Sequence, residues 1–469
     1  MSENIIVVPA PASADSLAPD NCGSVSLARA WTATVVLCLF YVLSMMDRGV
    51  IALMVSPIMR DLTISPVGMG IVQGFAFAGV YSLAGLPLGW AADRFSRRKL
   101  LAAGILTWSA GAMACGLADS FAGLMVARAV VGLGEATLVP TALSLIADLF
   151  SGRRVATATA VFSSGATIGS AAALIVGGLL LERFQSHAVS GALGTLPAWK
   201  SVFFAFAAFG LLAACLTALV PDVARGGSRS RRVADHNELG RAANESETSE
   251  SDAGMAEFGR FLRRHAALLA YVFVAFPLLT AVLSGFLAWA PHHFETAFSW
   301  NARTVGVSLG AMKLIACPLG VICGGLAMDK LVGTGLRSAY FLVPLVTTAL
   351  GAPLLVAGLV QDSASSAIGL IVPGLFLFSA FGSSHYVVVQ RLAPPSQRGR
   401  LAALYLMVLS LIGAGIGALL PPILNDLAFS HSRDLGRGTA VAIAMMSLVA
   451  VAALALGRSR LSAALAHAS

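Results

Sequence analysis

The chain has 469 residues, of which 57% are hydrophobic and only 12% are charged. Soluble globular proteins have roughly 25% charged residues, so this composition excludes a water-soluble enzyme, a nucleic-acid-binding protein and a disordered chain. The formal net charge of +8 is better explained by membrane topology than by an acidic partner, because most basic residues lie between apolar stretches of about twenty residues, each long enough to cross a bilayer. The chain is therefore predicted to be an all-α polytopic membrane protein.

Charges, Gly/Pro clusters and polar runs divide the chain into twelve predicted spans. In residue numbers these are 29–56, 67–92, 99–117, 121–147, 155–181, 200–220, 266–290, 303–328, 339–360, 366–390, 399–424 and 439–457. The predicted domains are a disordered cytoplasmic tail (1–28), an N-terminal six-helix bundle (29–220), a cytoplasmic linker (221–264), a C-terminal six-helix bundle (265–457) and a cytoplasmic C-terminal tail (458–469). At the end of the linker, the stretch 258–264 is typical of a short helix at the membrane surface.

Lys and Arg residues are concentrated in the loops on one side of the predicted spans. If the N-terminus is inside, most of the 31 basic residues lie in cytoplasmic segments. Cytoplasmic loops of membrane proteins carry such an excess, so both termini are predicted to be cytoplasmic.

The two halves of the chain also repeat a short pattern. The second span ends in residues 89–94, Gly-Trp-Ala-Ala-Asp-Arg, and the eighth ends in residues 325–330, Gly-Leu-Ala-Met-Asp-Lys. Two parallel six-helix halves joined by a cytoplasmic linker form the architecture of major facilitator superfamily transporters. A channel or a receptor would not require this repetition.

The hairpin after the second span resembles the loop 2–3 signature of that superfamily: Gly, three residues, Asp-Arg, two residues, then Arg or Lys. Residues 89–99 match it without departure. The resemblance implies a network that closes the cytoplasmic side, in which Gly89 lets the second helix approach a neighbour closely and Asp148 offers a partner to Arg97 or Arg98. The predicted gating residues are Gly89, Asp93, Arg94, Arg97, Arg98, Asp148, Arg154 and Asp329. The alternative is that the arginines only enforce topology.

Spans one, three and four carry a narrower resemblance. They contain residues 44–48, Ser-Met-Met-Asp-Arg, residues 104–109, Gly-Ile-Leu-Thr-Trp-Ser, and residues 128–136, Arg-Ala-Val-Val-Gly-Leu-Gly-Glu-Ala. Together these look like the Spinster family, in a bacterial-type member. The resemblance implies proton-coupled transport of lysolipids or sphingoid phosphates by an integral protein of the bacterial inner membrane.

Several ionisable residues lie inside predicted spans, where each needs a partner or a function. At a rise of about 1.5 Å per residue, Asp47 lies about 13 Å below the outer surface, close to the level of Arg128. The two are therefore predicted to pair between helices one and four. Arg48 points about 100° away from Asp47 and is free to face a cavity.

Glu135 follows Arg128 by seven residues, so the two share a helix face, with Glu135 near the middle of the membrane. Gly132 and Gly134 beside it leave room for a partner helix or for substrate. A carboxyl group between apolar surroundings and a nearby arginine can bind and release a proton as the cavity alternates. The predicted proton-coupling residues are Asp47, Glu135 and Arg128. The alternative is a static buried network that holds two helices together.

Arg48 and Lys313 are the best candidates to bind an anionic head group, because phosphate and carboxylate groups are recognised by cations. Lys313 lies about ten residues into the eighth span, on the opposite half, near the membrane middle. Glu135 and His385 complete the predicted substrate site. The alternatives are that Lys313 pairs with an acid and that His385 is a satisfied interior histidine.

These features predict a secondary active transporter that moves an amphipathic anion, such as a lysophospholipid or sphingoid phosphate, by proton-coupled alternating access. The alternative substrates are small organic acids or drugs; a wide apolar lateral opening would favour the lipid and a closed polar pocket the acid. The sequence contains no evident nucleophile–base pair or set of metal ligands, so no enzymatic activity, cofactor or metal is predicted. The protein is expected to act as a monomer among membrane lipids, without nucleic acid.

Overall fold

The computed structural model of the chain describes residues 25–187, 189–191, 194–222, 257–336, 338–394, 397–429 and 434–467. Most of the predicted N-terminal tail, up to residue 24, and residues 223–256 of the predicted linker lie outside this described part.

The N-terminal half consists of helices whose ends follow the predicted spans. They are α1 (Leu27–Val50), α2 (Val55–Asp61), α3 (Pro66–Gln73), α4 (Phe75–Arg94), α5 (Arg97–Leu117), α6 (Phe121–Glu135), α7 (Leu138–Leu149), α8 (Arg153–Ser186) and α9 (Ala198–Leu216). A 3₁₀ turn, Ile51–Met54, joins α1 to α2, while α6 and α7 together form one crossing. Two short antiparallel strands, β1 (Val189–Gly191) and β2 (Gly194–Leu196), precede α9.

The C-terminal half begins with a short helix, as the sequence pattern of residues 258–264 predicts. Its helices are α10 (257–264), α11 (Ala266–Phe298), α12 (Ala302–Gly333), α13 (Ala339–Leu359), α14 (Ala364–Ser379), α15 (His385–Leu392), α16 (Arg398–Ser410), α17 (Gly417–Ala428) and α18 (Gly436–His467). A 3₁₀ turn, Ala380–Ser383, joins α14 to α15, and a π-helical turn, Leu411–Ile416, joins α16 to α17.

Twelve helices of the described chain are long and apolar enough to cross a membrane, which confirms the predicted fold class. The largest differences from the predicted spans are at two C-terminal ends. Helix α11 continues to Phe298 despite Pro291, because its last polar side chains contact Ser56 of α2 and Asp434 before α18. Helix α18 continues through most of the predicted tail to His467, with Leu461 fully buried. Because the number of crossings is even, the start of α1 and the end of α18 lie on the same side of the membrane. We call this side the inner side, following the orientation that the basic residues predict, and the opposite side the outer side.

The buried apolar side chains form two clusters, one for each half. Phe40, Trp199 and Phe203 belong to the first cluster, and Phe276 and Phe378 to the second. The halves meet along α8 with α12 and along α3 with α17. Each half therefore has its own core, and the space between the halves is available for a site.

Helices α1 and α8 approach each other closely at two glycines. A Cβ atom at Gly165 would lie 2.7 Å from the carbonyl oxygen of Cys38, and one at Gly169 would lie 2.4 Å from the carbonyl oxygen of Val42. Small residues permit such packing between membrane helices. The close approach predicted at Gly89 is absent, because a Cβ atom there would meet no heavy atom of the described chain within 4 Å.

We expect Gly169→Ala to destabilise the protein by roughly 1–3 kcal/mol, because the added methyl group must displace backbone atoms of α1. Gly79→Ala is the matched control: Gly79 is also helical, and a Cβ atom there meets nothing within 4 Å, so alanine is tolerated or favourable. Unfolding temperatures in detergent measure both effects. A Gly169→Ala protein that unfolds at or above the wild-type temperature would contradict the packing argument.

Candidate functional site

A cavity of about 200 Å³, the central cavity, lies between the two halves. Its polar lining comes from both halves and comprises Arg48, Gln73, Ser170, Ser284, Lys313 and Ser410. The remaining lining residues are glycine, alanine and larger apolar residues. The cavity thus combines two cations with a mainly apolar wall.

Arg48 lies in the last turn of α1 and is held by a carboxylate and two aromatic rings. Its Nη2 donates to Glu135 Oε2 at 2.8 Å, and its Nε donates to the same oxygen at 3.3 Å. Its guanidinium carbon lies 4.4 Å from the centre of the Phe77 ring and 4.7 Å from that of Tyr81. Because a guanidinium has five N–H donors and these two bonds occupy two, Arg48 retains donors for an anion in the central cavity.

Glu135 is the last residue of α6, at the interruption before α7. Its side chain is buried, and Oε2 accepts a hydrogen bond from Ser44 Oγ at 2.9 Å in addition to those from Arg48. The predicted substrate and proton-coupling residue Glu135 is therefore engaged with Arg48, the predicted substrate-binding cation.

The two glycines near Glu135 make room for partner helices. A Cβ atom at Gly132 would lie 2.7 Å from the carbonyl oxygen of Phe77 in α4, and one at Gly134 would lie 2.4 Å from the amide nitrogen of Trp108 in α5. This close packing fixes the position of the α6 end, and with it the Glu135 carboxylate.

The predicted ion pair between Asp47 and Arg128 is not formed. Both side chains are buried, with 3% and 0% exposure, but within the described part of the chain neither Asp47 oxygen and none of the Arg128 side-chain nitrogens has a hydrogen-bond partner. The Arg128 guanidinium instead lies 5.3 Å from the centre of the Phe77 ring. The helical rise gives the depth of a residue, but it does not give the rotation of one helix against another.

Lys313 of α12 reaches the central cavity from the C-terminal half. No carboxylate of the described residues forms an ion pair with it, so the alternative that it pairs with an acid is not observed. His385 is absent from the lining of the central cavity, and its predicted contact with substrate stays a prediction. Its Nδ1 lies 3.0 Å from the hydroxyl group of Tyr405 within a buried aromatic cluster, the environment of a satisfied interior histidine.

On the inner side, Arg97 pairs with Asp148, the acid that the sequence offers to Arg97 or Arg98. Ser96 Oγ also donates to Asp222 Oδ2 at 3.0 Å, which ties the start of α5 to the residues after α9. These contacts hold elements of the N-terminal half together.

The other predicted gating residues take different positions. The guanidinium carbon of Arg94 lies 4.2 Å from the centre of the Trp90 ring. Arg154 and Asp329 are exposed. The side chain of Asp93 lies outside the described part of the structure, so its role stays a prediction.

A hydrogen-bonded cluster on the outer side, the outer latch, joins the two halves. Ser56 of α2 donates to Glu295 Oε2 at 2.6 Å, and its Oγ lies 2.7 Å from His292 Nδ1 in the same helix, α11. Because a serine hydroxyl has one proton to donate, His292 Nδ1 is the donor to Ser56. Sequence reasoning missed this cluster; its one visible signal was a pair of adjacent histidines at the end of an apolar span.

Helices α8 and α12 also close the outer side. A Cβ atom at Gly178 would lie 2.5 Å from the carbonyl oxygen of Ala302, and one at Gly306 would lie 2.3 Å from the carbonyl oxygen of Leu174. With Arg303 Nη1 lying 3.6 Å from Glu182 Oε2, these contacts bring the outer ends of the halves together.

His293 pairs with Asp434, which precedes α18, at 2.7 Å. Burial by itself would raise the pKa of Asp434, but hydrogen bonds from His293 and from the Gly436 backbone N–H lower that pKa below its usual value. A lowered carboxyl pKa contributes stability above the unfolded pKa of about 3.9, and this contribution is lost as the pH falls through the folded-state pKa.

We expect Asp434→Asn to destabilise the protein at pH 6 by roughly 1 kcal/mol or less, because exposed ion pairs are screened and the Asp434 side chain is 36% exposed. The difference from wild type should shrink as the pH is lowered below about 4. Unfolding temperatures across this range measure it, with Asp362→Asn, an exposed aspartate, as the control. A pH-independent difference would exclude ionisation of Asp434 as the cause.

Comparisons with known proteins agree with this architecture. The family model described as Major Facilitator Superfamily matches residues 37–418. The chain is 26% identical over 429 residues to an "MFS-type efflux pump" of Mycolicibacterium smegmatis, covering 90% of this chain and 91% of that protein. It is 24% identical over 355 residues to a hexuronate transporter of Bacillus subtilis, covering 74% and 77%.

A solved structure with a similar fold is that of a bacterial homologue of the human lysosomal transporter Spinster, in an inward-facing and unoccupied conformation. The TM-score is 0.74 at 21% identity, and the match covers 94% of this chain and 98% of that one. At this level of identity the similarity shows that the two chains share a fold.

Proposed function

The chain belongs to the Major Facilitator Superfamily, and we propose that it transports an amphipathic anion, such as a lysophospholipid or sphingoid phosphate, by proton-coupled alternating access. It is a membrane transporter and not an enzyme. The observation that carries the proposal is the pair of cations, Arg48 and Lys313, that face one cavity from opposite halves. An anion bound between them contacts both halves, so its binding can favour one arrangement of the halves over another.

The apolar part of the cavity wall supports an amphipathic substrate. Phe77, Leu174 and Leu287 lie in the same lining as the two cations. A ligand with one charged group and one apolar part can satisfy the cations and bury its hydrocarbon against these side chains. Arg48 is the stronger anchor for a phosphate, because its planar guanidinium can donate two parallel hydrogen bonds.

Proton coupling follows from competition for Arg48. An anion that binds Arg48 displaces Glu135, and a buried carboxylate without a partner is costly unless it takes up a proton. Anion binding and protonation of Glu135 then favour each other reciprocally, so proton and anion bind together. Asp47, whose two oxygens are buried and make no hydrogen bond to a described residue, is the second candidate site for a transported proton.

The contacts on the outer side support a conformation in which substrate reaches the central cavity from the inner side. The outer latch and the α8–α12 glycine contacts must separate before the cavity can open outward. Substrate binding would then lead to a rocking movement of the two halves about the central cavity, which opens the cavity to the outer side. We place the protein in a bacterial inner membrane, with both termini cytoplasmic, as a monomer.

A small organic acid is the second candidate substrate. A volume of about 200 Å³ is below the roughly 300–1,000 Å³ typical of sites for drug-sized ligands, and the hexuronate transporter of Bacillus subtilis is among the similar proteins. A lysolipid would need to place its acyl chain outside the central cavity, whereas a short acid would fit within it.

Transport in proteoliposomes with an imposed pH gradient tests the proposal. Labelled lysophosphatidylglycerol and a hexuronate are offered to wild type and to Arg48→Gln, with Arg60→Gln, an exposed outer arginine, as the control. We expect uptake of the lysolipid, loss of that uptake in Arg48→Gln, and little response to the control substitution. Uptake of the hexuronate alone would favour the organic acid, and uptake of neither in any gradient would overturn both assignments.

A further inference from the structure

A second cavity, of about 590 Å³, lies on the inner side of the C-terminal half and is separate from the central cavity. It is bordered by α10 and by the junction between α15 and α16. Because α11 begins at Ala266 and α15 ends at Leu392, this cavity lies where the crossing helices leave the membrane. We call it the basic cavity.

Four arginines line the basic cavity: Arg260, Arg264, Arg391 and Arg398. Glu257 is the one acidic residue of the lining, so four positive charges against one negative leave a net charge of +3. All four arginines are exposed. None of them forms an ion pair with a described residue. A concentration of unpaired guanidinium groups at a membrane surface favours an anion.

Two of these arginines are oriented by contacts that do not neutralise them. Arg398 Nε donates to the carbonyl oxygen of Ala393 at 3.2 Å. The guanidinium carbon of Arg391 lies 5.1 Å from the centre of the Tyr340 ring. Both arginines therefore keep N–H donors for a ligand, in the planar geometry that suits a phosphate.

A buried acceptor accompanies the cations. Gln397 lines the same cavity with only 4% exposure, and its Oε1 has no hydrogen-bond partner among the described residues. A buried amide oxygen without a donor is costly, and a hydroxyl group next to the bound phosphate would satisfy it. The cavity also has an apolar side, formed by Phe261, Leu392 and Ala393.

We propose that the basic cavity binds the headgroup of an anionic membrane phospholipid that carries a phosphate and a hydroxyl group. The arginines bind the phosphate, Gln397 accepts from the hydroxyl group, and the apolar side continues toward the acyl chains. A soluble phosphate would make only the contact with the arginines. The position at the membrane surface and the apolar side favour the lipid. Headgroup binding would connect α10 to the junction between α15 and α16.

Thermal unfolding of the full chain in detergent, titrated with lipid, tests this site. The probes are dioleoylphosphatidylglycerol, dioleoylphosphatidic acid, dioleoylphosphatidylcholine and sodium phosphate. We expect phosphatidylglycerol to stabilise wild type most, since it offers both a phosphate and hydroxyl groups. The double variant Arg264→Gln/Arg398→Gln should bind phosphatidylglycerol about 30-fold more weakly than wild type does. Each arginine near an anionic lipid surface contributes a factor of roughly five to the affinity, and the variant lacks two of them. Gln397→Leu should reduce the preference for phosphatidylglycerol over phosphatidic acid.

Two controls separate this site from the rest of the molecule. Arg60→Gln/Arg303→Gln removes two exposed outer arginines and should leave the lipid effect unchanged. Arg48→Gln removes the anion anchor of the central cavity and should also leave it unchanged, so failure of the proposed transport function and failure of this site are distinguishable. Equal stabilisation of Arg264→Gln/Arg398→Gln and wild type by phosphatidylglycerol would overturn the proposal. If saturating sodium phosphate abolished the stabilisation by phosphatidylglycerol, the basic cavity would be assigned to a soluble phosphate instead.

Discussion

Glu135→Gln is expected to transport substrate without any response to a pH gradient. In wild type, each coupled proton can support an accumulation ratio of about tenfold per pH unit, because one pH unit corresponds to about 1.36 kcal/mol. Glutamine can still accept from Ser44, but it has neither a negative charge for Arg48 nor a carboxyl group that takes up a proton. The accumulation ratio should therefore fall to one, while exchange at equal pH continues.

The control for this experiment is Glu182→Gln. Glu182 lies near the outer end of α8, and among the described residues its carboxylate forms one long ion pair, 3.6 Å, with Arg303, so its loss should leave accumulation as in wild type. Substrate affinity gives a second readout: wild type should bind more tightly at low pH, and Glu135→Gln should bind equally at pH 6 and pH 8. If Glu135→Gln accumulated substrate as wild type does, Glu135 would not be the coupling group.

Lys313→Met is expected to weaken substrate binding by more than tenfold. Methionine retains an unbranched apolar stem but removes the charge, and a hydrogen bond to a charged group contributes about 1.5–3 kcal/mol, where 1.4 kcal/mol is a factor of ten. Since no described carboxylate forms an ion pair with Lys313, its removal leaves no unpaired acid behind. Folding should be little affected, so the unfolding temperature should remain near that of wild type.

Lys313→Arg and Lys330→Met are the matched variants for this measurement. Lys313→Arg preserves the charge and should recover most of the affinity, whereas Lys330→Met removes an exposed lysine of the same helix and should have no effect. Equilibrium binding of labelled lysolipid to the purified protein measures each affinity. Unchanged affinity in Lys313→Met would show that the anion does not bridge the two halves.

The crossing helices were predictable because their signals are local. An apolar stretch such as 339–360 needs no distant partner to be recognised, and its observed helix, Ala339–Leu359, differs from it by one residue. The end of α11 was harder to predict, because the residues after Pro291 remain helical through contacts with Ser56 and Asp434, which are far away in the chain.

The charged residues inside the spans show where sequence reasoning stops. Their burial was predictable, because an ionised group facing lipid is costly, and Asp47 and Glu135 are indeed 3% and 1% exposed. Their partners were not: Arg48, expected to face the cavity freely, is bound to Glu135. Adjacent residues on a helix point about 100° apart, so a modest rotation of α1 exchanges which of them meets α6.

The sequence by itself determined that this chain crosses the membrane as twelve helices in two related halves, because backbone groups in lipid must be satisfied within each helix and apolar length is a local property. Only the tertiary structure decided that Arg48 and Lys313 face one cavity, that Glu135 binds Arg48, and that Ser56 reaches Glu295. These contacts depend on how helices distant in sequence rotate and pack, and hydrogen bonds require that geometry to within a few tenths of an ångström.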